Sequence, residues 1–346
     1  MNISKNYEGH AQFMKRALQL SLYGGTNVSP NPFVGAVITV GDRIIGEGYH
    51  RQYGNAHAEV NAVNSVRPED RRLLGEATMY VTLEPCSHYG KTPPCADLII
   101  RCGIPKVFVA TEDPFLKDYE SGIEKMKNVD VDVSVGLLGE EARFINRRFF
   151  TAHTLKRPYI LLKWAQSADG FISGKDGSPV KLSSDFTQLL VHRERAYYDA
   201  ILAGPNTVVC DNPRLNCRLW SNRDSSRPLK VTFDSSRLQG KTLLEKGPLI
   251  KKPKESDLKE FMHTLYKDLG ITSLMVEGGR HTLQSFLDAG LFDEVRIEIS
   301  PKIISRGVEA PLIDKAFRDR HMKRLPSEIF GSHEITSYLR YKEIMR

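Results

Sequence analysis

Hydrophobic and polar residues alternate along the chain with two periods, one typical of helices and one of strands. Apolar side chains recur at helical spacing over residues 8–23, and Gly24-Gly25 follow as a stop signal. Two runs rich in strand-forming residues come next, at 33–40 and 43–49, and Gly41-Asp42 between them predicts a hairpin. This alternation predicts a layered α/β domain. The same patterns predict a helix starting near His57, further helices over 94–102 and 137–150, and strands over 78–83, 106–111 and 129–135.

A second series of strands and helices follows a connector at residues 151–158 and does not repeat the first series. The lysine-rich segment 246–259, which contains two prolines, predicts a loop. We therefore expect two three-layer α/β domains, at residues 1–150 and 159–346. The patterns in the second series predict a helix over 184–198 and strands over 159–164, 200–203, 229–234, 273–276 and 294–300.

The composition mainly excludes classes of protein. The 346 residues are 40% hydrophobic and 26% charged, which excludes a disordered, collagen-like or disulfide-framework chain. The net charge of +7 suits an anionic substrate or a nucleic acid, and equally a solvated surface. Five cysteines, an odd number, favour a reducing compartment. With no apolar signal segment at the N-terminus and no bilayer-length apolar run, we expect a soluble, cytoplasmic protein.

One histidine and two cysteines in the first half form a candidate catalytic zinc site. His57, Cys86 and Cys95 supply three ligands and leave the fourth zinc position open for water, whose pKa a bound zinc lowers towards neutrality. Glu59 stands two residues after the histidine, where it can carry a proton without binding the metal. The pattern is typical of nucleobase deaminases, except that eight residues separate the cysteines instead of two.

The segment between the cysteines and several other motifs resemble one branch of the cytidine deaminase-like superfamily. Cys86-Ser-His-Tyr-Gly-Lys-Thr-Pro-Pro-Cys95 is similar to the zinc loop of the pyrimidine deaminases of riboflavin biosynthesis. Asn31-Pro-Phe-Val-Gly35 and Gly48-Tyr-His50 resemble their substrate-pocket motifs. From about residue 8 to 315 the chain therefore resembles the bifunctional deaminase/reductases of that pathway. The motifs of the second half that resemble the fused NADPH-dependent reductase are 162–170, 207–215 and 276–279.

For the first domain the resemblance implies a cytidine deaminase-like fold. It implies that the ring 2-amino group of 2,5-diamino-6-ribosylamino-4(3H)-pyrimidinone 5′-phosphate is removed, which yields 5-amino-6-(5-phosphoribosylamino)uracil. His57, Cys86 and Cys95 match the ligands of one Zn²⁺ per chain, and Glu59 matches the proton carrier. The positions that match substrate contacts are Asn31, His50, Lys91 and Asp113.

For the second domain the resemblance implies a dihydrofolate reductase-like fold that uses NADPH to reduce the ribosyl group to ribityl. It also implies a homo-oligomer, dimer or tetramer, without nucleic-acid or membrane partners. Lys181 is added to the cofactor set because its ammonium could pair with the cofactor phosphates. The positions that match substrate contacts are Arg195, Leu215, Arg218 and Glu277. The positions that match cofactor contacts are Ala165, Thr207, Asp211, Gly279, Arg280, His281, Thr282, Leu283, Gln284 and Ser285.

Two departures from the family pattern leave an alternative open. Where the family has Ser-x-Trp-Ile-Thr, this chain reads Pro179-Val-Lys-Leu-Ser183, and the stretch between Asp234 and Ile271 is shorter than usual. Both favour, as the alternative, a deaminase with a degenerate reductase domain.

Two other functions compete with the deaminase/reductase interpretation. A nucleoside or transfer-RNA deaminase shares the zinc chemistry, but the cysteine spacing and the lack of a basic run interleaved with aromatics argue against it. An interaction scaffold with structural zinc needs a fourth protein ligand, for which His88 and Cys102 are the nearby candidates, and would leave Glu59 without a role.

Overall fold

A computed structural model describes residues 8–89, 93–115, 121–220, 228–233, 249–251 and 257–340. The chain divides into two compact units, which we call the N-terminal unit, ending at Thr154, and the C-terminal unit, beginning at Leu155. None of the helices in the described ranges combines the length and the apolar character needed to cross a bilayer.

The described strands of the N-terminal unit form one mixed sheet in the order β2-β1-β3-β4-β5. β1 pairs antiparallel with both β2 and β3, whereas β3, β4 and β5 run parallel. The tight turn after Val40 confirms the predicted hairpin, because Val40 pairs with Arg43. The strands are β1 (Gly35–Val40), β2 (Arg43–Tyr49), β3 (Thr78–Val81), β4 (Lys106–Val109) and β5 (Asp132–Val135).

Helices cover both faces of this sheet, as expected for three layers. The helices are α1 (Glu8–Ser21), α2 (Ala58–Ser65), α3 (Cys95–Arg101), α4 (Gly122–Lys127), α5 (Gly139–Ile145) and α6 (Arg147–Leu155), with 3₁₀ turns at Leu22–Asn27 and Pro68–Glu76. One face packs on α2, α3 and α4 and the other on α1 and α5, each through a buried apolar cluster. Because a Cβ on Gly48 would lie 2.2 Å from the Ala62 nitrogen, glycine is required for α2 to pack this closely on β2.

The predicted single helix over 137–150 is wrong in detail, and the predicted connector over 151–158 begins with the end of a helix. The structure has two helices, α5 and α6, which are interrupted at Asn146, and α6 continues to Leu155. The buried Asn146 side chain bonds to the backbone of Phe33 instead of facing solvent. A side-chain bond of this kind competes with a continuous helix and is invisible to local periodicity.

In the described part of the C-terminal unit, nine strands form one sheet in the order β10-β9-β8-β11-β6-β12-β16-β14, with β15 also paired to β16. The six strands from β10 to β12 run parallel, and β16 runs antiparallel to β12. A separate pair joins β7 and β13. The strands are β6 (Tyr159–Gln166), β7 (Phe171–Ser173), β8 (Ala200–Leu202), β9 (Leu229–Thr232), β10 (Leu249–Lys251), β11 (Ser273–Glu277), β12 (Glu294–Ile299), β13 (Val308–Glu309), β14 (Met322–Arg324), β15 (Glu328–Phe330) and β16 (His333–Arg340).

The described helices of this unit are α7 (Asp185–Arg195), α8 (Pro205–Asp211), α9 (Leu258–Lys267), α10 (Arg280–Asp288) and α11 (Lys315–His321), with a 3₁₀ turn at Lys175–Gly177. α9 and α10 pack on one face of the sheet, and α8 packs on the other. The two three-layer α/β domains are therefore confirmed.

The predicted loop over 246–259 is wrong in part. β10 lies inside this segment and extends the parallel sheet beside β9, and α9 begins at Leu258. Residues 246–248 and 252–256 lie outside the described residues. The lysines and prolines of this segment do not predict a strand. β10 is a strand because it pairs with β9, and not because of its own composition.

Candidate active sites

Two cysteine sulfurs and one histidine nitrogen lie close together beside two helix N-termini of the N-terminal unit. His57 immediately precedes α2, Cys95 is the first residue of α3, and Cys86 lies in the loop after β3. The His57 Nδ1 atom lies 3.5 Å from the Cys86 Sγ and 3.3 Å from the Cys95 Sγ. The Cys95 backbone N–H donates to the Cys86 sulfur over 3.3 Å. The sheet and the starts of two helices thus bring together residues that the sequence spaces widely.

The donor set fits zinc. The three ligand atoms lie within 4.8 Å of one another, and one imidazole with two thiolates is a usual zinc set with one position left open. The hydrogen bond with Cys95, assisted by His57, lowers the pKa of Cys86 to about 4, so a thiolate is available there. Among the described residues no other group of this kind exists, and neither His88 nor Cys102 joins this one as a fourth ligand. Within the described ranges, the scaffold interpretation therefore finds no fourth protein ligand.

Glu59 lies in the first turn of α2 and is 3% exposed. Burial, with the Cys86 thiolate adding to it, raises the pKa of Glu59 to about 7. A carboxyl group that titrates near neutrality can both accept and release a proton, which is the property of an acid–base catalyst. The position and the chemistry of Glu59 both suit a proton carrier beside the ligands.

Two residues predicted to contact substrate lie directly beside the ligand histidine. The Asn31 Nδ2 atom lies 3.1 Å from the His50 Nε2, and the His50 Nδ1 lies 3.2 Å from the Ala56 carbonyl oxygen. The His50 and His57 rings meet edge to face with centroids 5.6 Å apart. Because Ala56 offers only an acceptor, we assign the proton to Nδ1 of His50 and let Nε2 accept from Asn31. Burial lowers the pKa of His50, which favours the neutral ring.

Asp113 follows β4 and comes close enough to Cys86 to interact electrostatically with it. Burial raises the pKa of Asp113 to about 6, and the charges of Glu84 and Cys86 add to the effect. Its Oδ1 accepts from the Phe115 N–H over 2.9 Å. Three of the four predicted substrate contacts therefore lie in one neighbourhood, whereas Lys91 lies outside the described residues.

Two buried residues that support this site were missed by the sequence reasoning. Asn146 accepts from the Phe33 N–H over 2.7 Å and donates to the Phe33 carbonyl over 2.9 Å, which anchors the segment that carries Asn31. Glu84 is 7% exposed and bonds to the Asp113 N–H. The one signal available in the sequence was a charged residue directly after the strand predicted over 78–83, and it points to Glu84 alone.

A cavity of about 990 Å³ opens at the carboxyl ends of β6, β8 and β11 in the C-terminal unit. This edge of a parallel sheet is the usual place for a ligand in an open α/β fold. Most of the residues predicted for this unit line the cavity: Ala165, Lys181, Arg195, Thr207, Asp211, Leu215, Glu277, Gly279, Arg280, His281, Thr282 and Ser285.

Three residues predicted for this unit lie elsewhere. Leu283 is fully buried in the apolar cluster between α10 and the sheet. Gln284 bonds to Asp288 and Leu312. Arg218 bonds to Asn216. A helix presents only part of its surface to a cavity, so a continuous run such as 279–285 cannot line it with every side chain.

The glycines of this cavity form a cradle that fits a dinucleotide diphosphate. A Cβ on Gly204 would lie 2.0 Å from the Thr282 hydroxyl oxygen, so this position accepts only glycine. The Gly279 N–H donates to the Thr207 hydroxyl over 2.8 Å. α8 starts after Gly204 and α10 starts after Gly279, so two helix N-termini face the same cavity and favour an anion there.

Arg195 and Glu277 form a nearly buried ion pair in the cavity wall. The guanidinium donates through Nε and Nη2 over 2.8 and 2.7 Å to the two carboxylate oxygens. Burial alone would raise the pKa of Glu277, but the Arg195 charge outweighs it and lowers the pKa to about 2. Lys163 pairs with Glu277 in the register of β6 and β11 and also lines the cavity. Burial lowers the pKa of Lys163, which favours its neutral amine, so Arg195 is the charged partner that fixes the Glu277 carboxylate in the wall.

The segment 179–183, which departs from the family pattern, also lines the cavity. Its Lys181 ammonium lies 2.6 Å from the Asp185 carboxylate in an exposed ion pair. The Ser183 hydroxyl donates over 2.6 Å to the buried Glu298. The segment is thus anchored, but it presents a lysine where the family presents an aromatic ring.

The comparisons with known proteins cover both units. Residues 7–111 match the cytidine and deoxycytidylate deaminase zinc-binding region, and residues 158–332 match the RibD C-terminal domain. The chain is 39% identical to the riboflavin biosynthesis protein RibD of Aquifex aeolicus, over 88% of this chain and 89% of that one.

Solved structures agree with these matches. The deaminase/reductase of Thermotoga maritima is 35% identical, with a TM-score of 0.85 over 97% of this chain and 99% of that one. The RibD of Acinetobacter baumannii is 29% identical, with a TM-score of 0.86 over 97% of this chain and all of that one. The chain therefore belongs to the RibD family of riboflavin biosynthesis proteins, as a bifunctional enzyme with a zinc-dependent deaminase unit and an NADPH-dependent reductase unit.

Proposed function

We propose that the N-terminal unit removes the 2-amino group of 2,5-diamino-6-ribosylamino-4(3H)-pyrimidinone 5′-phosphate. The C-terminal unit then reduces the ribosyl group of the product, 5-amino-6-(5-phosphoribosylamino)uracil, to ribityl. The observation that carries the proposal is the ligand group of His57, Cys86 and Cys95 beside the buried carboxyl group of Glu59. The name of the Thermotoga maritima relative, which covers both activities, supports the choice of substrates.

In the deaminase, His57, Cys86 and Cys95 would hold the zinc ion, which when bound would lower the pKa of a water molecule towards neutrality. Glu59 takes the proton of the attacking water at its carboxylate and delivers it to the departing amino group, which leaves as ammonia. Asn31 and His50, which are bonded to each other, hold the pyrimidine ring. The Asp113 carboxyl group bonds to the ring from the loop after β4. Lys91 stays predicted as the partner of the substrate phosphate.

In the reductase, NADPH supplies the hydride, and the residues of the chain provide binding and orientation. Gly279, Thr207 and the N-terminus of α10 bind the cofactor diphosphate. The other cavity-lining positions of the predicted cofactor set are Ala165, Lys181, Asp211, Arg280, His281, Thr282 and Ser285, whereas Leu283 and Gln284 face away from the cavity and are not proposed to contact the cofactor. Arg195 binds the substrate phosphate, and Leu215 and Glu277 complete the substrate site, whereas Arg218 lies outside the cavity lining and is not proposed to contact the substrate. The Arg195–Glu277 pair keeps both side chains in one orientation before substrate arrives.

One observation favours a second candidate function, a deaminase with a degenerate reductase unit. The segment 179–183 lines the cavity without the serine and the tryptophan that the family pattern places there. A flexible lysine gives the cofactor no flat apolar surface to pack against.

We also propose the boundaries and the setting of the enzyme. The deaminase domain comprises residues 1–150 and the reductase domain 159–346, with 151–158 between them. The cytoplasm is proposed as its location because none of the five cysteines forms a disulfide. A homo-oligomer, dimer or tetramer, is proposed for the assembly, and light scattering coupled to gel filtration measures its mass.

Mass spectrometry of the products tests the proposed function. Zinc-loaded protein receives the diaminopyrimidinone phosphate with and without NADPH. We expect deamination in both samples and a gain of two hydrogens only with NADPH. Deamination in both samples with no gain of hydrogen would identify a degenerate reductase. Folded, zinc-bound protein that fails to deaminate would show that the substrate is wrong.

A further inference from the structure

Glu84 is a buried acidic residue of the N-terminal unit that has no role in the proposed deamination reaction. It lies between β3 and the ligand Cys86 and is 7% exposed. A buried carboxylate is costly unless hydrogen bonds compensate it, so its partners show what it holds in place.

The Glu84 carboxylate accepts three hydrogen bonds from two other segments. Its Oε1 accepts from the Ser121 hydroxyl over 2.6 Å and from the Ile123 N–H over 3.4 Å. Its Oε2 accepts from the Asp113 N–H over 3.2 Å. The Glu84 N–H donates to the Thr111 carbonyl over 3.0 Å, so the loop after β4 is bonded to this one residue twice. Glu84 therefore ties the loop of Asp113 to the loop of Cys86.

The α4 helix holds this arrangement in place from the other side. A Cβ on Gly122 would lie 1.9 Å from the Pro85 carbonyl oxygen, so the first turn of α4 packs directly against the backbone that leads to Cys86. The glutamate side chain is thereby confined between the start of α4 and the loop of Asp113. An acidic side chain is also favourable beside a helix N-terminus.

We infer that Glu84 is a positioning residue of the deaminase, whose carboxylate fixes the Asp113 loop so that the Asp113 side chain faces the zinc ligands. This inference rests on the proposed function, in which Asp113 bonds to the substrate ring. Glu84 touches neither the metal ligands' donor atoms nor the substrate in this role; it acts through the Asp113 backbone.

A purely structural role would be the capping of α4, and the structure offers a way to separate the two roles. Ser121 is the N-cap of α4, and its hydroxyl also accepts from the Glu124 N–H over 3.4 Å. Ser121→Ala removes this cap together with the Ser121 hydrogen bond to Oε1, but it leaves the Asp113 N–H bonded to Oε2 and the Ile123 N–H bonded to Oε1. Glu84→Gln replaces one carboxylate oxygen by an NH₂ group, which cannot accept, so the three donors are no longer all satisfied.

The experiment is a double-mutant cycle on E84Q and D113N, measured as kcat/KM of deamination in the full-length, zinc-loaded enzyme. We expect E84Q alone to lower kcat/KM about tenfold, chiefly through KM, because a charge-assisted bond to the loop is lost. In the D113N background the further loss from E84Q should stay within about twofold. S121A should lower the melting temperature while kcat/KM changes by less than about twofold.

Zinc content and the reductase activity of the same preparations serve as internal controls, and both should equal the wild-type values. Should E84Q lose zinc, E84D is measured instead, because its shorter carboxylate no longer spans both loops. If E84Q lowers kcat/KM by the same factor in the wild-type and the D113N backgrounds, the inference is overturned. A wild-type kcat/KM for E84Q alone would overturn it as well. A wild-type enzyme without deaminase activity would instead refute the proposed function.

Discussion

The three ligand atoms of the zinc site in the N-terminal unit lie within 4.8 Å of one another, whereas most of the predicted ligand-binding residues of the C-terminal unit line a cavity of about 990 Å³. The first site is built from one histidine and two cysteines, which are uncommon residue types in proteins. The second is built from glycines, hydroxyls and an ion pair, which also occur in ordinary turns and surfaces. A metal centre therefore leaves a recognisable pattern in a sequence, whereas an extended cofactor site is recognised mainly by its resemblance to a family.

The two sites also depend on their surroundings in different ways. Zinc itself organises three ligands once they are near one another. The cavity must be organised beforehand, by the Arg195–Glu277 pair and by the close packing of Gly204 on Thr282. Substitutions should therefore affect one activity and leave the other intact, and the following variants test that separation.

The largest effect is expected from Glu59→Gln. Loss of the proton carrier should lower kcat of deamination about 10³-fold, while zinc content and reductase activity stay at wild-type values. Steady-state kinetics and metal analysis measure both. Glu69→Gln, at an exposed position, is the matched control. A loss below about tenfold would remove Glu59 from the role of proton carrier, and a parallel loss of reductase activity would contradict the independence of the two sites.

Arg195→Met should abolish reduction and leave deamination unchanged. It strands the Glu277 carboxylate without its ion-pair partner, so the free energy of unfolding of the C-terminal unit should fall by about 3 kcal/mol. Both tryptophans, Trp164 and Trp220, belong to this unit, so urea unfolding followed by their fluorescence reports on it alone.

The control for this variant is Arg193→Met on the same helix. The double substitution R195M/E277L should recover most of the lost stability without recovering activity, because neither charge then remains buried alone. A stable single variant would show that the ion pair does not support the cavity wall.

A smaller effect is expected from Asn146→Ala. The Phe33 N–H and carbonyl group lose their partners, which should cost about 2 kcal/mol of stability in the N-terminal unit. KM of deamination should rise because the segment carrying Asn31 is released, whereas the reductase constants should not change. Exposed Asn128→Ala is the control for both measurements. A stability loss with unchanged KM would limit Asn146 to a role in folding.

The smallest effect is expected from His192→Gln and depends on pH. Burial, followed by the charges of Arg195 and Arg218, lowers the pKa of His192 from 6.5 to about 4. The unfolded chain therefore takes up this proton at a higher pH than the folded chain does. The stability of the C-terminal unit that depends on neutral His192 is complete above pH 6.5 and is lost as the pH falls towards 4.

Urea midpoints at pH 7 and pH 5, followed by tryptophan fluorescence, measure this effect. The decrease between the two pH values should be smaller in H192Q than in the wild type. His263→Gln, at an exposed position of α9, should behave as the wild type does. An unchanged pH dependence in H192Q would show that His192 is not held neutral by its surroundings.

Local patterns in the sequence were sufficient for most of the fold and for the metal ligands. The hairpin of β1 and β2 and the strands that carry the two sites follow from periodicity and turn residues, which act over a few neighbours. Helices α5 and α6 were missed as separate elements because the interruption depends on Asn146 bonding to Phe33. β10 was missed because its partner strand, rather than its composition, determines it.

By itself the sequence determined the two-domain α/β organisation, the ligand set of His57, Cys86 and Cys95, and the family. Only the tertiary structure decided which side chains support those sites. The bonds of Glu84 to Asp113, Arg195 to Glu277 and Asn146 to Phe33 join residues 29, 82 and 113 positions apart. Such contacts depend on the order of strands in the sheet and on how helices pack against it, which no local pattern records. The same holds for Leu283, which packs in the core although Thr282 and Ser285 on the same helix line the cavity, because the packing of a helix selects the faces that meet a ligand.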